Sequence, residues 1–139
     1  MRLFLDTSVL LAAAGSAAGG SRELFRRAEA NGWILIATPY VLDEVLANLG
    51  HLPGTALSDW ARLRSDLIVC DDVVTLSRPV VFPVRKDRPI LFSALAWADV
   101  LLTLDRADFE GLLGKAFYEL PILTPGGWLT QERAAGRLK

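Results

Sequence analysis

With one cysteine and one histidine among its 139 residues, the chain is short of the side chains on which much of enzyme chemistry depends. Cys70 alone can form no disulfide within the chain and no cysteine-based zinc site. His51 alone removes the histidine-rich metal motifs and makes serine–histidine catalysis a poor reading. Charge of one sign is also missing: the formal net charge is -1. That balance argues against a protein held to nucleic acid by bulk attraction to phosphates, although a local basic rim beside an acidic centre stays open. Uninterrupted apolar stretches are short, and none approaches the roughly 20 residues that span a bilayer. So few cysteines suit a reducing cytoplasm, which is the expected location.

What is present describes a globular chain. Hydrophobic residues make up 52% and charged residues 22%, too apolar for a disordered segment. The length suits one domain over residues 1–139. The N-terminus imitates a signal peptide, with Arg2, an apolar stretch from Leu3 to Ala14 and the small residues Ala14 to Ala18. Asp6 argues against that, because a carboxylate within an inserting segment costs roughly 2.5 to 3.5 kcal/mol. Arg2 to Asp6 reads better as a buried strand entering a helix capped by Thr7 or Ser8.

Strands and helices then alternate. Ser21 to Asn31 reads as a helix with Ser21 as cap and Asn31-Gly32 as stop, and Trp33 to Ala37 as the second strand. Thr38-Pro39 opens a helix reaching Leu49, with Thr38 as cap. After a loop from His51 to Thr55, a helix covers Ala56 to Ser65 and a third strand Leu67 to Cys70. Leu76 to Lys86, interrupted by prolines, reads as an extended connection. Asp87 to Ala98 is helical, Val100 to Thr103 is the fourth strand, and Ala107 to Leu113 is a short helix. A weak last strand precedes a helix capped by Thr124-Pro125. Short apolar strands separated by helices predict a three-layer α/β/α fold around a mostly parallel sheet.

Four acids fall at informative places in that scheme. Asp6 ends the first strand and Asp105 follows the fourth, where a parallel sheet opens its crevice. Glu44 lies in the helix after the second strand, beside Asp43, and Asp87 stands in the first turn of a later helix. Converging carboxylates repel one another. With a hard divalent cation between them they form an oxygen cage suited to Mg²⁺ or Mn²⁺, and such a cation assists attack on a phosphodiester.

The same residues carry a family resemblance. Leu3-Phe4-Leu5-Asp6-Thr7-Ser8-Val9-Leu10-Leu11 resembles the opening of PIN-domain proteins. Thr38 to Val45 resembles their second acidic motif, with Glu44 as its metal-site member. Lys86-Asp87-Arg88-Pro89-Ile90-Leu91 is similar to the third, and Ala98 to Asp105 to the fourth. Ile122 to Pro125 with Trp128-Leu129 resembles the usual C-terminal segment, so the ordered set covers nearly the whole chain. The resemblance implies a metal-dependent ribonuclease, often the toxin of a toxin–antitoxin pair, with Asp6, Glu44, Asp87 and Asp105 as both metal-site and catalytic acids. Thr7 and Thr103 would be hydroxyls that orient carboxylates or water. The chain departs from the pattern at Val84-Arg85-Lys86, where another acid is frequent. Trp97 stands in place of a common small residue, and Leu104 replaces a frequent glycine.

Plainer roles exist for each residue. Asp6, Asp87 and Asp105 also suit helix starts, and Glu44 beside Asp43 suits a solvated helix pair. Asp99 and Asp108 read mainly as turn and capping residues, with a reach to the metal as the alternative. Arg85, Lys86 and Arg88 are candidates to grip an RNA backbone, although exposed cations at a helix start are usually just solvated. The four tryptophans read as core or interface anchors, and Cys70 as an inert buried thiol. A haloacid-dehalogenase-like phosphatase would place an acid where Ser8 stands. A receiver-like domain would need paired early acids and a late lysine. The remaining alternative is a non-catalytic PIN-like module that binds RNA or protein. Expected partners are RNA, an antitoxin and a second copy in a homodimer, the last argued from Ala56-Leu57 with Trp60.

Overall fold

The structure, a computed structural model, describes residues 1–74 and 87–139. Its centre is β1 (Arg2–Leu5), whose Leu3, Phe4 and Leu5 are fully buried. A strand covered on both faces has no polar side to alternate with, and the unbroken apolar run follows from that. Parallel neighbours flank it: β2 (Ile34–Ala37) on one side and β4 (Val100–Leu102) on the other. Outward lie β3 (Ile68–Val69), parallel to β2, and β6 (Leu120–Leu123), parallel to β4, with β5 (Lys115–Phe117) antiparallel to β6 at the far edge. Among the described residues the order is β3-β2-β1-β4-β6-β5, a mostly parallel six-stranded sheet with helices around it, as a three-layer α/β/α fold requires.

Among the described residues the helices are α1 (Thr7–Gly15), α2 (Gly20–Asn31), α3 (Pro39–Leu49), α4 (Ala56–Arg64), α5 (Arg88–Trp97) and α6 (Pro125–Ala134). α1 packs against α2, α3 and α4, and α5 lies against β1, β4 and α3. Arg22 ties the first group together. Its buried guanidinium donates to the Ala13 and Ala14 carbonyls at the end of α1 and to Asp59 on α4. Arg22→Leu would strand those carbonyls and remove one partner of Asp59. It is expected to cost about 3 kcal/mol, read as a drop in the thermal midpoint on the order of 10 °C.

Several element ends differ from the sequence reading. Asp6, not Thr7 or Ser8, caps α1, its carboxylate accepting the Thr7 N–H at 2.7 Å. Gly19 precedes α2, and Ser21 is buried inside that helix. Thr38 is the residue before α3, but its hydroxyl caps nothing. The Tyr40 N–H is taken instead by Asp72, 32 residues further along, at 2.9 Å. β3 is shorter than predicted, and the predicted helix from Ala107 to Leu113 is a run of turns broken by Gly111 and Gly114, both at positive φ. β5 was not anticipated. It joins β6 through Tyr118 (φ 47°) and Glu119 (φ 71°), a two-residue turn that usually carries Asn-Gly and here does not.

Ala56 and Trp60, offered as an interface patch, are buried, and only Leu57 of that stretch faces outward. Trp33 and Trp128 are core residues packed edge to face at 5.8 Å, and Trp97 donates its indole N–H to the Asp71 carbonyl. Burial raises the pKa of the half-buried Cys70, which keeps it a thiol. Among the described residues no helix is long and apolar enough to cross a membrane. The predicted connection from Leu76 to Lys86 falls outside the described residues, as do Arg85 and Lys86.

Candidate metal centre

Parallel pairing sends the ends of β1, β2 and β4 to one edge of the sheet. Leu5 pairs with Leu102, so Asp6 and Thr103 leave the sheet side by side, and the Asp6 N–H still donates to the Leu102 carbonyl at 3.0 Å. Thr103 is fully buried, and its hydroxyl donates to Oδ2 of Asp6 at 2.6 Å. The same hydroxyl accepts the Asp105 N–H at 3.0 Å. Ser8 donates to Oδ2 of Asp6 as well, at 3.1 Å, while accepting the Leu104 N–H. Each carboxylate oxygen of Asp6 is therefore held, and the two hydroxyls on Oδ2, from Ser8 in α1 and Thr103 after β4, also accept N–H groups of the turn leading into Asp105.

A second link runs to α3. Thr7 donates its hydroxyl to Oε1 of Glu44 at 2.9 Å, which selects Glu44 over the exposed Asp43 as the acid facing the sheet edge. The third link is a cluster. Asp87, Asp105 and Asp108 offer carboxylate oxygens within 4.8 Å of one another, with Asp87 buried at 6% exposure. The Asp105 carboxylate also accepts the Asp108 N–H at 3.0 Å, closing the turn that brings Asp108 back. Fully buried Phe109 anchors that turn from below.

Hydrogen bonds thus link Glu44 through Thr7 to Asp6, and Asp6 through Thr103 to the backbone N–H of Asp105, whose carboxylate lies within 4.8 Å of those of Asp87 and Asp108. Arg88 begins α5 beside Asp87. Asp108, read from sequence as a turn residue, belongs to the cluster. Its signal was the three-residue spacing from Asp105, which an aspartate turn closes. Asp99 lies at the opposite end of the sheet, where it accepts the Arg2 N–H at 2.7 Å. Ser8 was read beforehand as a candidate helix cap and not as a support for Asp6, although a hydroxyl two residues after a strand-end acid suits that role.

Electrostatics set the character of the site. Burial pushes the Asp6 carboxyl above its ordinary value, overcoming the lowering by the Thr103 hydroxyl, the Thr7 N–H and Ser8, with the Glu44 charge adding to the rise. Without a cation, the stability this group contributes is therefore present below the ordinary carboxylate range and lost as pH rises through the elevated folded value. The cluster donors are all hard carboxylate oxygens, and nitrogen and sulfur donors are absent from it. That donor set fits a hard divalent cation, and Asp87, Asp105 and Asp108 could hold one. No protein-family model matches the chain, and no curated protein matches its sequence.

Proposed function

We propose that this chain is a PIN-type ribonuclease that hydrolyses RNA phosphodiester bonds with Mg²⁺ or Mn²⁺. The observation that carries the reading is the cluster of Asp87, Asp105 and Asp108, with carboxylate oxygens within 4.8 Å of one another, on the segment that Thr103 hydrogen-bonds to Asp6. One capping aspartate needs no company, whereas three carboxylates this close repel one another until a cation neutralises them. When bound, the cation would activate water and stabilise the charge on the attacked phosphate. Asp87, Asp105 and Asp108 would hold it, Asp6 and Glu44 would complete the negative site, and Thr7, Ser8 and Thr103 would keep those two carboxylates aimed.

Single-stranded or looped RNA is the proposed substrate. An antitoxin and a homodimer belong to the same proposal. Ile34, Ile68 and Val69, exposed along the β2–β3 edge, offer apolar surface for such partners in place of the stretch around Trp60. The cytoplasm is the proposed setting.

Two measurements test the reading. Manganese at about a hundred times its Kd is expected to stabilise the protein by about 2.7 kcal/mol, and Asp105→Asn should remove most of that gain. Cleavage of a mixed RNA pool should appear with manganese and vanish with a chelator. RNA binding without cleavage under any divalent cation would favour the non-catalytic module. No manganese-dependent stabilisation would sink the metal site altogether.

A further inference from the structure

We propose that Arg106 grips a phosphate of the bound RNA strand beside the carboxylate cluster, an inference that rests on the nuclease reading above. Arg106 stands on the turn between Asp105 and Asp108, two members of the cluster, and is exposed. Most of the protein's other described arginines are committed to carboxylates. Arg2 holds Asp99, Arg22 and Arg62 hold Asp59, Arg26 and Arg27 hold Glu23, and Arg137 holds Glu132. Among the described residues, Arg106 has neither an ion pair nor a side-chain hydrogen bond, although carboxylates flank it on both sides in sequence.

The local geometry accounts for that. Asp105 turns its carboxylate to the Asp108 N–H, and Asp87 is buried, so the acids face inward and leave the guanidinium to solvent. The turn is also fixed. The Phe109 N–H donates to the Asp105 carbonyl at 3.3 Å, and the Phe109 carbonyl accepts from Leu112 and Leu113. Arg106 is rooted about 3.8 Å from the Asp105 Cα, so its side chain can reach over the cluster without crossing the protein. A cation on the cluster would cancel the carboxylate charge that competes for the guanidinium. A phosphate then becomes its natural partner, because the planar fork matches two phosphate oxygens at once. Arg106 acts here as a substrate-binding residue, and the proton and electron accounting of hydrolysis does not pass through it.

The test is steady-state cleavage of a short single-stranded RNA oligonucleotide with manganese, at several salt concentrations, for wild type, Arg106→Gln and Arg106→Lys. Arg106→Gln is expected to raise KM about tenfold with kcat within about twofold, since it removes binding common to ground and transition states. Its salt dependence should flatten by about 0.7 in the slope of log KM against log salt, the share of one single-strand phosphate contact. Arg106→Lys should recover part of KM, because the ammonium keeps the charge and loses the fork. Wild type that cleaves and Arg106→Gln that matches it in KM would overturn this inference alone. A fall in kcat with KM unchanged would also overturn it. If wild type neither binds nor cleaves RNA, the nuclease reading falls and takes this inference with it.

Discussion

Asp6→Asn is expected to remain folded while losing manganese-dependent RNA cleavage by about three orders of magnitude or more, as members of a catalytic unit commonly do. The substitution keeps the side-chain shape and one carbonyl oxygen, so the Thr7 N–H at the start of α1 still has an acceptor. The other oxygen becomes an NH₂ group facing the Ser8 and Thr103 hydroxyls, which must rotate. Thr103 then loses the acceptor for its proton, a loss of about 1 kcal/mol. Removing a buried charge whose pKa is already raised offsets that loss. In chelator, wild-type stability should fall relative to Asp6→Asn as pH rises above the ordinary aspartate range, because only the wild type must ionise a buried carboxyl. The decisive measurement pairs thermal unfolding in chelator across pH with cleavage in manganese. Full activity in Asp6→Asn would end the metal-centre reading, and inactivity accompanied by unfolding would make Asp6 structural.

Phe109→Ala is expected to produce the largest loss of stability, about 3 to 5 kcal/mol. Phe109 is fully buried and belongs to the main hydrophobic core. Its removal leaves a ring-sized void beneath the one turn that carries both Asp105 and Asp108. The damage should therefore be double. Denaturant unfolding reports the lost packing, and manganese titration followed by thermal shift should show affinity weakened about tenfold, the usual scale for loosening the support of a ligand. Phe109→Leu, which keeps most of the volume, should recover most of both. If Phe109→Ala binds manganese as tightly as wild type while still folded, the turn does not depend on its anchor. The role of Asp108 in the cluster would then need another support.

The alternation of strands and helices was legible because buried parallel strands must be apolar on both faces, as Leu3, Phe4 and Leu5 are. Pro39 and Gly32 punctuated helices by backbone restriction alone, and both stand where those restrictions place them. The positions of Asp6 and Asp105 at strand ends were legible for the same reason: strand length sets where a chain leaves a parallel sheet. Contacts between distant residues were not. Asp72 taking the α3 cap from Thr38 depends on β3 lying beside β2, which no local pattern encodes. The β5–β6 hairpin was hidden because its turn uses Tyr118 and Glu119, whose left-handed backbone is enforced by strand pairing against their own preference. Sequence alone thus determined the fold class and the acids that end or follow its strands. Tertiary structure decided which acids meet: sheet register set Asp6 beside Thr103, the Thr7 hydroxyl chose Glu44 over Asp43, and a turn anchored by Phe109 brought Asp108 to Asp87. Side-chain convergence is a property of register and packing, and neither is written in any single stretch of chain.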